Sequence, residues 1–110
     1  MQFMGSLYVG ESLASAEYKI VEKVHKGKVV RDLYLITFST HPDNMLDLIL
    51  EKEALHACYK KRGLKVVGIA SGKKEALELV QHIIEQSIRE TGSADVREFL
   101  WKKWEGQACR

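Results

Sequence analysis

Residues 66–77 read VVGIASGKKEAL, and the reading of this stretch decides the fold. Residues 64–70 form an apolar run rich in branched side chains, which predicts a strand covered on both faces. A Ser-Gly pair and two lysines end the run. From Lys74 to Glu90 the pattern turns helical. Ala76, Leu77, Val80, Ile83, Ile84, Ser87 and Ile88 then share a wide apolar face, as on a helix lying across a sheet. Gly92 supplies its stop.

Outward from this unit, LYLITF (33–38) is apolar on both alternating faces and predicts a second central strand. STHPDN (39–44) is a turn, in which Pro42 keeps His41 out of the α region. Leu46, Leu48 and Leu50 alternate as in a strand, while Leu46, Leu50, Ala54 and Cys58 also fit a helix. The adopted reading is a strand at 46–50 and a helix at about 52–62, ended by Gly63. Near the start, Leu7–Val9 forms a short strand ending at Gly10. Ser12 or Ser15 then caps a helix that carries Leu13, Ala16, Ile20, Val21 and Val24 on one face and stops at Gly27. After Gly92, Ser93 caps a last helix at 94–104, and residues 105–110 fray.

The resulting order, βα-ββα-βαα, predicts an α/β (α+β) fold: a small mixed sheet of three or four strands with helices packed on it. The alternative is a ferredoxin-like βαββαβ unit with extra C-terminal helices. The 110 residues suit one domain spanning 1–110, and 45% hydrophobic residues suffice for a core. A net charge of +2 gives no global attraction to nucleic acid or membrane. No apolar run reaches the roughly 18 residues of a membrane span. The N-terminus lacks the charged and apolar regions of a signal peptide, and the two cysteines, Cys58 and Cys109, have no metal or redox spacing. A cytoplasmic setting is expected.

The turn at 71–74 is neither a Walker loop nor a dinucleotide fingerprint. Gly68 and Gly72 bracket only three residues, no hydroxyl follows Lys74, and the third glycine is absent. A weaker anion site remains: Ser71, Gly72, Lys73 and Lys74 at a helix start, where backbone N–H groups and the dipole favour an anion. The plainer reading has both lysines in solvent, with Glu78 relieving Lys74. His41 and Ser39 join this candidate site if the strands at 33–38 and 64–70 run parallel, because both loops then leave one edge of the sheet. The basic stretch 60–74 carries Lys60, Lys61, Arg62, Lys65, Lys73 and Lys74, but a strand of this length separates its two groups by roughly 20 Å. Nucleic-acid binding is therefore a third reading. The four histidines, at 25, 41, 56 and 82, have no zinc-ligand or HExxH spacing, so neither a metal nor a cofactor is expected and no catalytic residue is assigned. In VREFLWKKW (96–104), Phe99, Trp101 and Trp104 bring large apolar area to a small domain; the favoured reading has one or both tryptophans close the core, and the other leaves one exposed to anchor a partner.

LYVGES, LYLITF, LKVVGIASGKKEALELVQ and ETGSADVREFL together resemble short hypothetical proteins of anaerobic Gram-positive bacteria. The resemblance covers most of residues 6–100 and implies no activity, cofactor or site residue. The leading expectation is a non-enzymatic interaction or regulatory module that self-associates through its apolar C-terminal helix, at Phe99, Trp101 and Trp104. The alternative is a small-anion or enzyme site around His41 and Ser71–Lys74.

Overall fold

A computed structural model describes residues 1–39, 41, 44–55 and 63–110. The C-terminal part of the helix expected at 52–62, with Cys58 and the KKR group, lies outside the described residues. Four strands, β1 (Gln2–Val9), β2 (Leu33–Phe38), β3 (Leu46–Leu50) and β4 (Lys65–Ser71), form one mixed sheet in the order β1-β4-β2-β3. Among the described residues the α-helices are α1 (Glu17–His25), α2 (Glu51–Ala54), α3 (Gly72–Thr91) and α4 (Val96–Glu105). Among the described residues no helix is long and apolar enough to cross a membrane.

The α+β fold expected from the alternation is present, and its centre is β4. Val66, Val67, Ile69 and Ala70 are fully buried, because β1 and β2 flank the strand and helices cover both its faces. On one face, Ile20, Val21 and Val24 of α1 and Ala54 of α2 pack with Phe3, Leu35, Ile49, Val66 and Ile69. On the other, Ile83 of α3 and Val96, Phe99, Leu100 and Trp104 of α4 pack with Met4, Ile36, Phe38 and Val67.

The ferredoxin-like alternative is not what forms. That arrangement sets its first and third strands side by side in the middle, whereas here β1 is an edge strand paired in parallel with β4. β2 is antiparallel to both β3 and β4. The run that reads as uniform in sequence contains a bulge. Ile36 opposes Gly68 and Thr37 opposes Val66, so Val67 has no partner on β2. Val66 and Ile69 therefore share one face, while Val67 turns to the other.

Local ends differ from expectation in instructive ways. Neither Ser12 nor Ser15 caps α1. A short 3-10 turn at Glu11–Leu13 comes first and Ala16 holds the cap position. α4 is capped by Asp95, whose Oδ1 accepts the Glu98 N–H at 3.2 Å, while Ser93 Oγ accepts the Asp95 N–H. The tail expected to fray is hydrogen-bonded along the outer edge of β1. The Phe3 N–H donates to the Arg110 carbonyl at 2.7 Å, and the Arg110 N–H returns a bond to the Phe3 carbonyl at 2.6 Å. Gln107 Oε1 accepts the Ser6 N–H, and the Arg110 guanidinium meets Glu17 at 3.2 Å. An edge that would otherwise offer unpaired backbone groups is covered in this way.

Candidate functional site

The antiparallel pairing of β2 with β4 separates the two halves of the expected anion site. Ser71 lies opposite Leu33 at one end of the sheet, and Thr37 lies opposite Val66 towards the other. Ser39 and His41, just past the end of β2, therefore belong with the start of β4 and not with the turn at 71–74. The parallel arrangement needed to bring them together does not occur. The same geometry splits the basic stretch, because Lys65 begins β4 and Lys73 and Lys74 follow its far end, with buried strand between them.

At the far end, the turn into α3 is already supplied with an anion of its own. Gly72 holds φ at +79°, a conformation that favours glycine, and its N–H donates to the Asp32 carbonyl at 2.8 Å. Ser71 occupies the cap position without a side-chain cap bond. Glu75 does that work instead, reaching back one turn. Its Oε1 accepts the Ser71 N–H at 2.9 Å and the Ser12 hydroxyl at 2.9 Å, and its Oε2 accepts the Ser12 N–H at 3.3 Å. Gly10 leaves the space for it, since a Cβ there would overlap the Glu75 carboxylate. Burial opposes ionisation of Glu75, but the bonds from Ser71 and Ser12 outweigh it and hold the carboxyl below its ordinary value. Lys73 and Lys74 are exposed. No ion pair joins Lys74 to Glu78 among the described residues. Sequence reasoning missed Glu75 because its partner Ser12 is 63 positions away, although a Glu four residues past a helix cap was a visible sign.

Glu75→Ala is expected to lower stability by about 1 kcal/mol, the usual loss on uncapping a helix. It should also give the 71–74 turn amide shift changes on adding phosphate that the parent chain lacks; an equal response in both would contradict this account. A carboxyl held below its ordinary value stabilises above the unfolded pKa and ceases to as pH falls through the folded one. Urea unfolding of the Glu75→Gln chain should therefore vary less over the acidic range.

At the near end, Phe38, Ser39, Gly63, Leu64, Lys65, Arg97 and Trp101 line a cavity of about 260 Å³. The Ser39 hydroxyl oxygen accepts the His41 N–H at 3.0 Å. An Arg97 N–H donates to the Asn44 carbonyl at 3.4 Å. The aromatic residues of α4 divide. Phe99 and Trp104 are buried, while Trp101 is 43% exposed. Both indoles meet Phe38 edge-on, at 5.5 Å for Trp101 and 5.9 Å for Trp104.

A third feature lies on the face that carries α3. The Tyr8 hydroxyl donates to Gln86 Oε1 at 2.6 Å, and burial, with a smaller contribution from Glu90, pushes the phenol up to about 12. This bond turns the Gln86 flank of α3 towards β1, so the opposite flank, with Leu77, Ile84 and Ile88, faces the β3 side. Leu77 is 51% exposed and Ile88 48%. Leu46 and Leu48 of β3 point to the same face and are only partly covered.

Among the described residues no group of three His, Cys, Asp or Glu is placed to hold a metal ion. Comparison with family models, with curated proteins and with solved structures finds no match for this chain.

Proposed function

We propose that this chain is a non-enzymatic, cytoplasmic interaction module that pairs with a second copy of itself along the outer edge of β3. The observation that carries this reading is the composition and setting of that edge. The strand LDLIL contains no lysine or proline and a single charge, Asp47, so it has little of what normally protects an exposed edge from pairing. The opposite edge is covered by the chain's own tail.

A two-fold arrangement centred on Leu48 sets Leu46 against Leu50 and Asp47 against Ile49. It puts no like charges directly opposite, and the same surface serves both partners, as an isologous dimer requires. The flanks carrying Leu77, Ile84 and Ile88 then approach one another over the joined sheet and lose water together. We place the interface here and not on the C-terminal helix, where Phe99 and Trp104 are buried and Trp101 is half exposed.

Size-exclusion chromatography with light scattering tests the reading. A concentration-dependent dimer is expected, and Leu48→Lys should weaken it by at least about tenfold, because it places two ammonium groups opposite each other. Ile88→Glu, at an exposed helical position, should weaken it without disturbing the fold. A strict monomer at the highest attainable concentration, or a dimer indifferent to both changes, overturns the proposal.

A further inference from the structure

The cavity where β2 ends and β4 begins joins three kinds of group that no single element supplies. Trp101, on α4, offers an indole that is 43% exposed. Phe38 props it edge-on, with the rings 5.5 Å apart and inclined at 75°. Lys65 from β4 and Arg97 from α4 line the same cavity. Among the described residues neither cation has a carboxylate within ion-pairing distance. Among the described residues, the acids beside Arg97 on α4 have other work: Asp95 caps the helix, and Glu98 meets Lys102 at 3.5 Å. Arg97 is steadied by the Asn44 carbonyl, which takes only one of the five guanidinium N–H donors. Ser39 is 3% exposed. Its oxygen accepts the His41 N–H, which leaves the hydroxyl hydrogen for another acceptor.

We infer that this cavity binds a small aromatic carboxylate, a single planar ring bearing one anionic group. The carboxylate matches the planar fork of Arg97, with Lys65 as a second positive charge and the Ser39 hydroxyl as a neutral donor. The ring packs against the indole of Trp101, which is only partly covered by the protein. The volume of about 260 Å³ lies near the roughly 300 Å³ at which pockets for drug-sized ligands begin, which leaves room for one ring. The site is independent of self-association, since β3 contributes none of its lining residues.

The test is a two-dimensional amide NMR titration of the full chain with benzoate, and with cyclohexanecarboxylate, phenyl phosphate and acetate as comparisons. Benzoate at millimolar concentration should shift the amides of Ser39, Lys65 and Arg97 and the Trp101 indole N–H saturably, leaving 71–74 unmoved. Arg97→Gln, at an exposed position, and Lys65→Gln, at a half-buried one, should each weaken it by at least about fivefold, as expected for loss of a charged hydrogen bond. Trp101→Leu should abolish the preference for benzoate over cyclohexanecarboxylate. The monomeric Leu48→Lys chain should bind benzoate as the parent does, which separates a failure here from a failure of self-association. The absence of saturable shifts overturns the proposal. So does binding unchanged by both cation variants, or cyclohexanecarboxylate or acetate bound as well as benzoate. Stronger binding of phenyl phosphate overturns the choice of carboxylate.

Discussion

Replacing Trp104 with alanine is expected to cost about 3–5 kcal/mol of unfolding free energy, as for other large buried aromatics. The indole is 7% exposed and packs with Met4, Ile36, Phe99 and Leu100 on the α3 side of the sheet. It closes the end of the core where α4 crosses it, and its ring meets the edge of Phe38 at 5.9 Å. Alanine leaves a cavity there that strand and helix cannot both collapse to fill. Against a total stability of about 5–15 kcal/mol, much of the folded population is at stake. Trp101→Ala should cost less than about 1 kcal/mol, since that indole already faces water on one side. Urea unfolding of the two variants beside the parent chain measures both. Equal losses would mean that the two tryptophans do not divide their work between core and surface.

Gly68→Val is expected to destabilise the chain by about 1–3 kcal/mol, the range for overfilled cores. Valine is an excellent strand residue, so on propensity alone the change should help. The bulge reverses the sign. Val67 and Gly68 turn towards the same face, since Gly68 opposes Ile36. A Cβ at Gly68 would sit 3.2 Å from Ile36 Cδ1 and 3.2 Å from the Tyr8 carbonyl oxygen. The first contact can shift, but the second is backbone of the neighbouring strand. The two branches of valine add further overlap on each side. Gly68→Ala should lie between valine and the parent chain in the same unfolding measurement. A Gly68→Val chain as stable as its parent would show that β4 runs without the bulge.

The elements of this protein were legible wherever burial alone writes the pattern. β2 and β3 fall where the alternation of LYLITF and LDLIL predicts them. β4 is shifted by one residue and remains buried on both faces, and α3 stops at Gly92, which holds φ at +75°. Periodicity works there because a residue enclosed on all sides must be apolar whichever neighbour encloses it. The candidate sites were less legible. Ser39 and His41 do follow a central strand, but Ser71–Lys74, expected beside them, lies at the opposite end of the sheet.

Composition and spacing by themselves determined that the chain makes one sheet with helices laid on it, and which segment lies at its centre. Tertiary structure alone decided the direction of β2 against β4, the bulge at Val67, the seating of Glu75 beside Ser12, and which tryptophan stays wet. The physical reason is the same in each case. Hydrophobic burial is non-directional and acts on one residue at a time, so it is recorded locally in the sequence. Strand direction, register and hydrogen-bonded partners are relations between residues far apart in the chain, and many pairings would bury the same side chains equally well.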